Sequence, residues 1–470
     1  MVRNPSDFIS PLSHRRQWLT NLVAAGFAGW ASSCTWGGDG PRIDPTAELD
    51  LPKGEAIAGQ GRRVRLRDRS GRPVVGEVLV EVQGELVVRL PNGRLQQISG
   101  DDAPATDDPF QGLSPRELGK QLAANEFSDF RVQASKRHLF LYQSSDEFLE
   151  GTSRILNSMF PKLVTYCKRM RLPAKDPDVP LVVIIFRSED DFDTYDKMPD
   201  GVLAYYNQIT NYVVMYEQSR LAQVAPELAI KQAISTIAHE GVHQILHNIG
   251  VQQRLSRWPM WIAEGLPEYC APTSVDKRVK WKGLGEVNDL RMSELERYLS
   301  KPPEKLQSGD LIRQTVAKQQ LNSTGYAVAW ALTHFLAEKR HNKYEDYLRE
   351  VSQLGPLESL ADGGTQLFEK HFGGEYDELE QELVKHLQSL PYSDPVANQT
   401  HYVVQLELDD GARMLRRVGV TTSPAAVKQW QQETLVSVPP QARHRARFNV
   451  QAFGNKILAQ QYADQWLQSR

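Results

Sequence analysis

The sequence predicts a multidomain α+β protein, in which a mixed sheet followed by a helical half is flanked by a small N-terminal β module and a small C-terminal α/β module. Three observations carry this expectation. A chain of 470 residues is too long for one ordinary core and implies roughly two to four domains. Strand and helix patterns segregate along it: residues 56–104 read as short strands, 126–390 as strands giving way to amphipathic helices, and 401–470 as a strand and helix mixture. Stretches rich in Gly, Pro and Asp at 35–55, near 103–113 and at 391–400 mark the joints. The net charge of -3 and pI near 6.4 argue against a nucleic-acid surface, which needs concentrated Lys and Arg to displace counterions.

Residues 1–34 read as a targeting segment. His14-Arg15-Arg16 precedes an apolar stretch from Leu22 to Trp30 that is too short to span a bilayer as a lasting helix, and the arrangement resembles a twin-arginine export signal. Ala31-Ser32-Ser33-Cys34 resembles a lipobox without the usual Leu three residues before the cysteine. Cys34 would then be acylated, and the protein exported to the periplasm or cell surface with a lipid anchor as its only membrane contact. Cys167 and Cys270, in apolar helical patterns, are expected as buried free thiols.

Residues 35–55 follow as a tether. Within 56–104, strand patterns over Arg63–Asp68, Val74–Gln83, Glu85–Leu90 and Arg94–Ile98 are split by Ser70-Gly71, Gly84 and Asn92-Gly93, the last a hairpin signal. A small SH3-like barrel fits, either as a binding module or as a structural accessory. Arg62, Arg63, Arg65 and Arg67 lie in a strand-like run and read as a solvated sheet face.

The central domain opens with strands at Phe130–Gln133 and His138–Tyr142, then a long helix through Cys167. Leu181–Phe186 is a continuous branched apolar run and hence a buried strand, followed by another at Asn211–Tyr216. Helices are expected at Met292–Leu299, Tyr326–Lys339, Tyr344–Gln353 and Tyr376–Leu390. In the last 70 residues a strand from Tyr402 to Leu408 precedes helices near Ala425–Gln432 and Ile457–Gln468, a module to which no chemistry is assigned.

Between the strands and the later helices, Glu227 to His247 repeats apolar residues every three to four positions without an internal proline, which is a helix pattern. It contains His239-Glu240-x-x-His243. Residues four apart stack on one helix face, so the two imidazoles can converge on one ion. Glu240, turned about 100° from His239, can reach a metal-held water without being a ligand. Catalytic zinc takes three protein donors, and Glu264 is the candidate third, on a second helix from Pro259 to Cys270. Glu268, one turn on, is expected to accept from a ligand imidazole N–H. Pro267 between them is expected to kink that helix. His247 is about 12 Å along the helix from His239 and reads as a partly buried or surface histidine rather than a ligand.

These residues, with Trp261-x-x-Glu264-Gly265-x-x-Glu268-Tyr269 and Ser323-x-x-Tyr326-x-x-x-Trp330, resemble the gluzincin zinc metallopeptidases. Within them they resemble a peptidase-MA-type bacterial family described as a domain of unknown function, over roughly residues 126–390. The resemblance implies His239, His243 and Glu264 as ligands of one zinc ion, Glu240 as general base and proton shuttle, and Tyr326 as donor to the oxyanion. It also implies an edge strand that holds an extended substrate, for which Val202–Asn207 and Tyr212–Tyr216 both qualify. The expected activity is hydrolysis of a peptide or protein substrate. The rival expectations are a non-enzymatic exported scaffold reusing the fold, or a zinc hydrolase of a non-peptide bond.

Overall fold

The structure is a computed structural model. It describes residues 48–468 except 69, 200, 220–225, 276–278, 301–306, 361, 410–413 and 439. The expected signal segment with Cys34, and residues 35–47 of the tether, lie outside the described residues.

The N-terminal module contains β1 (Ala56–Ala58), β2 (Arg63–Arg67), β3 (Pro73–Val82), β4 (Glu85–Arg89) and β5 (Leu95–Ser99) in one antiparallel sheet. Both β1 and β2 pair with β3, β4 with the other side of β3, and β5 with β4. No ladder among the described residues joins β5 back to β1 or β2. Asn92-Gly93 turns β4 into β5, with Gly93 at φ +86°, a conformation that favours glycine. The two sheet faces bury separate apolar sets. Val64, Leu66, Val78 and Val88 close one; Val80, Val82, Val87 and Leu95 pack with Leu49, Ile209 and Leu255 on the other. The tether expected at 35–55 therefore ends earlier, because Leu49 and Leu51 join that second core. Arg62 pairs with Glu81 and Arg65 with Asp108 at the exposed surface.

After α1 (Pro115–Ala124), started by a Ser114–Glu117 capping box, come β6 (Arg131–Ala134), β7 (His138–Tyr142), α2 (Asp146–Arg169), β8 (Leu181–Ser188), α3 (Glu189–Tyr195), β9 (Ala204–Asn207) and β10 (Tyr212–Gln218). The sheet order is β6-β7-β8-β10-β9, with β7, β8 and β10 parallel and both edge strands antiparallel to their neighbours. Leu181–Phe186 is fully buried, as expected of a strand covered on both faces. Of the two candidate edge segments, β9 lies at the edge and β10 inside the sheet.

The helical half comprises α4 (Pro226–Asn248), α5 (Met260–Cys270), the hairpin β11 (Thr273–Val275) and β12 (Val279–Trp281), α6 (Asp289–Ser300), α7 (Asp310–Ala317), α8 (Ser323–Lys339), α9 (His341–Val351), α10 (Thr365–Phe372) and α11 (Tyr376–Ser389). Its core joins α2, α4, α5 and α8 through residues such as Phe160, Val242, Trp261, Trp330 and Phe335. Cys167 and Cys270 are buried free thiols there. Helix α5 runs on through Pro267 to Cys270, so the expected kink does not end it.

The C-terminal module places β13 (His401–Asp409) between β14 (Met414–Thr421) and β15 (Arg447–Phe453). Helix α12 (Pro424–Val436) covers one face through Val427 and Trp430, and α13 (Lys456–Gln468) the other through Ala459 and Ala463. The joint at 391–400 is tied down: Lys456 Nζ lies 2.6 Å from Asp394, and Lys231 Nζ donates to Pro395 O at 2.9 Å. No described helix is long and apolar enough to cross a membrane.

Candidate metal centre

Helix α4 is the base of the site. His239 and His243 are buried on one face, one turn apart. Between them Gly241 lets α2 approach, since a Cβ there would meet Leu156 Cδ2 at 2.3 Å. Gly265 does the same for α5 and α8: a Cβ would stand 2.3 Å from Thr333 Oγ1 and 2.6 Å from Ala329 O. This close packing of α5 against α8 carries Glu264 into the interior, where it is 3% exposed.

Glu264 Oε2 lies 3.1 Å from His239 Nε2 and 3.2 Å from His243 Nε2, and the two Nε2 atoms are 3.1 Å apart. Three donors held by a tetrahedral zinc at about 2.0–2.1 Å stand about 3.3 Å from one another, so the triangle has the right size. The second nitrogen of His239 sharpens the fit. Glu268 Oε1 is 3.3 Å from His239 Nδ1. With Nδ1 as the protonated nitrogen, Nε2 turns its lone pair toward Glu264 and His243. A buried group of two imidazoles and one carboxylate, facing one another at this spacing, can hold a metal ion.

The electrostatics point the same way. Burial pushes the His239 imidazolium down, but hydrogen bonds to Glu264 and Glu268 and the charges of Glu268 and Glu240 outweigh it and hold its pKa up at about 10. The surroundings therefore favour positive charge here, carried by the imidazolium itself, and a metal ion would take the place of the proton on Nε2. Glu268 is pushed up by burial and pulled down more strongly by the Arg291 charge and by His239, to about 2. Arg291 Nη2 donates to Glu268 at 2.7 Å and Asn288 Nδ2 at 2.8 Å, so the carboxylate behind the ligand imidazole is itself fixed.

Glu240 stands outside the donor triangle and lines a pocket, partly open to solvent, with His239 and Tyr326. Its Oε2 accepts the main-chain N–H of Tyr206, on edge strand β9, at 2.8 Å. Tyr326, from the first turn of α8, has its ring centroid 6.2 Å from that of His239 and 5.2 Å from the Arg291 guanidinium carbon. His247 is away from the triangle and is buried rather than at the surface, stacked on the Tyr206 ring at 5.4 Å and 24°. Below it, Gln244 Nε2 donates to Val182 O and Asn211 O, and Asn248 Nδ2 to Asn211 Oδ1. These bonds anchor α4 to the sheet.

The structure thus brings together His239, His243, Glu264, Glu268, Glu240 and Tyr326. Sequence reasoning missed Arg291, Asn288, Glu294 and the Tyr206 N–H. Arg291 and Glu294, three residues apart and 3.1 Å from contact to contact, look in sequence like an ordinary exposed helix pair. A main-chain N–H leaves no sequence signal at all.

Residues 233–358 match a family model described as a protein of unknown function (DUF1570). The matched segment includes the donor triangle, Glu268, Arg291 and Tyr326. No curated protein matches the chain. A crystal structure of an M1 zinc metallopeptidase from Deinococcus radiodurans aligns with 72% of this chain and 62% of its own, at 13% identity and a TM-score of 0.24. The chain therefore corresponds to less than two thirds of that protein, and a likeness at this level carries no argument.

Proposed function

We propose that the chain is a zinc-dependent metallopeptidase of the gluzincin kind, with one zinc ion per chain. The observation that carries this reading is the buried triangle of His239 Nε2, His243 Nε2 and Glu264 Oε2 at 3.1–3.2 Å, with an acid that is not part of it, Glu240, one residue from His239. His239, His243 and Glu264 would hold the zinc, which when bound supplies Lewis acidity and lowers the pKa of water to about 7.

Glu240 takes the proton from the attacking water and returns it to the leaving amine. The Tyr206 N–H holds Oε2 of the Glu240 carboxylate and so fixes the base against edge strand β9. Tyr326 donates its phenol to the developing oxyanion, where exclusion of water strengthens the bond. Because side chains and main-chain groups alternate along a strand, Ala204 turns its main-chain groups to the same side as Tyr206. An extended peptide pairing with β9 would be held by hydrogen bonds that do not depend on its sequence. Glu268, fixed by Arg291 and Asn288, orients His239. Export and a lipid anchor at Cys34 complete the proposal and rest on the sequence pattern of residues 1–34.

The test pairs elemental analysis with kinetics. The purified chain should carry one zinc, and Glu240→Gln should keep the zinc while lowering hydrolysis of a peptide library by about 10²–10⁴-fold. Purified protein without zinc, or a Glu240→Gln variant as active as the parent, overturns the reading.

A further inference from the structure

We infer that Arg291 is a positioning residue for the proposed hydrolysis: with Glu294 it locks the phenol of Tyr326 to the carboxylate that orients His239, so that oxyanion donor and metal ligand are held as one unit. The inference rests on the peptidase reading and assigns the rigidity of its site to one buried ion network. Tyr326 needs such a lock. It sits in the first turn of α8, and residues 317–320, which lead into that helix, are exposed. The first N–H groups of a helix have no partner within it, so a turn entered from an exposed connection is held by what its side chains meet. Asn322 Oδ1 accepts from the Gly325 N–H at 2.9 Å, a bond within the turn itself that does not tie it to the metal ligands.

Arg291 supplies the tie from α6. Its Nη2 donates to Glu268 Oε1 at 2.7 Å and its Nη1 to Glu294 Oε2 at 3.1 Å, while the guanidinium carbon stands 5.2 Å from the centre of the Tyr326 ring. Glu268 reaches on to His239 Nδ1 at 3.3 Å. The other oxygen of Glu294 accepts from Ser323 Oγ, on the opening residue of α8 and three before Tyr326. A guanidinium can serve two carboxylates and an aromatic ring at once, which a lysine ammonium does not reproduce. Arg291, Glu268 and Glu294 are all buried, so none can shift without separating opposite charges, which is strongly unfavourable there. Asn288 closes the network: its Oδ1 accepts from the Arg291 N–H at 3.3 Å and its Nδ2 donates to Glu268 at 2.8 Å. Arg291 thus acts through Glu268 on one side and Tyr326 on the other.

The experiment uses the full chain with zinc in excess and compares Ser323→Ala, Arg291→Lys and Tyr326→Phe. Ser323→Ala cuts the bond from α8 to Glu294 and leaves the contact of Arg291 with Glu268 in place, so it tests the unit even if Arg291→Lys fails to fold. Arg291→Lys should lower kcat about 100-fold and Ser323→Ala about tenfold, both with KM within about twofold, the pattern of an interaction made only in the transition state. In a Tyr326→Phe background the Ser323→Ala loss should shrink to less than about twofold, because the two changes break one coupled unit. A peptide with a phosphinate in place of the scissile bond should bind Ser323→Ala about tenfold more weakly than the parent by calorimetry, with zinc affinity unchanged in competition with a chelator. Ser323→Ala with parental kcat and phosphinate affinity, or a tenfold loss that persists without the Tyr326 hydroxyl, overturns the unit and leaves the peptidase reading intact. Weakened phosphinate binding in Ser323→Ala, when the parent cleaves no peptide, upholds the unit and defeats the peptidase reading. A parent that neither cleaves peptides nor binds the phosphinate overturns both.

Discussion

Two regions of this molecule bury charge in opposite ways. Around His239 and His243 the chain gathers carboxylates: Glu264 between the imidazoles, Glu268 behind one and Glu240 beside them, with Arg291 as the neighbouring cation. At the junction between α4 and α5 it buries a cation instead. Arg254 is 5% exposed and donates to Gly93 O at 2.5 Å, to Gln208 O and to Ile209 O. Burial, with the Arg89 charge, lowers its pKa against a rise from Tyr206, but only to about 10, so it stays charged at neutral pH. The first region has a surplus of acid that asks for a cation from solution. The second meets its charge with the chain's own carbonyls at Nη1 and Nη2.

That difference separates a site from a rivet. Arg254 ties the β4–β5 turn of the N-terminal module, the loop after edge strand β9 and the α4–α5 connection to one another. Next to it Leu255 adopts φ +68°, and its N–H donates to Gln208 Oε1 at 3.1 Å. A non-glycine residue at positive φ is strained, and the bonds on both sides hold it there. The N-terminal sheet is thus built into the wall that carries Tyr206 to Glu240.

The contrast can be broken by substitution. The largest effect is expected from His243→Ala: zinc content should fall from one per chain to none and hydrolysis to background, as read by elemental analysis and peptide turnover. Tyr326→Phe should keep the zinc and lower kcat by about 10²–10³-fold, the loss typical of one oxyanion donor; unchanged kcat would make Tyr326 a packing residue. Arg254→Met should leave zinc stoichiometry at one while lowering stability by about 3 kcal/mol, since it strips charged hydrogen bonds from three buried carbonyls. Denaturant unfolding reads that loss, and zinc loss in this variant would erase the distinction between the two regions. Glu268→Gln should weaken zinc binding about 10–100-fold in competition with a chelator, the effect of removing a ligand's outer partner; an unchanged affinity would remove Glu268 from the site.

Much of the first region was legible in the sequence and almost none of the second. The i, i+4 repeat puts His239 and His243 on one face whatever the rest of the chain does, and Glu264 and Glu268 stand out as the two acids of a mostly apolar helix. Pro267 was expected to disturb this helix, yet α5 continues past it to Cys270 and Glu268 lies 3.3 Å from His239 Nδ1, because burial on all sides outweighs one missing hydrogen bond. In the C-terminal module the central strand and the two helices followed from residue patterns, whereas the flanking strands β14 and β15 were not individually expected. The packing of Leu49 and Leu51 into the N-terminal core did not, since two leucines in a Pro- and Asp-rich stretch are too few to establish a periodicity.

Local periodicity and residue chemistry, both present in the sequence, determined most of the longer helices, the buried strands Leu181–Phe186 and Asn211–Tyr216, the two-histidine face and the acids available to it, but not the shorter helices α1, α3, α7 and α10. Tertiary packing alone decided that β9 rather than β10 is the edge, that the Tyr206 N–H meets Glu240, and that Arg291 stands behind Glu268. It also chose the carbonyls that satisfy Arg254. The physical reason is that helix and strand geometry relates residues a few positions apart, whereas main-chain donors and acceptors are the same at nearly every position. Which of them a buried side chain meets depends on how the elements pack.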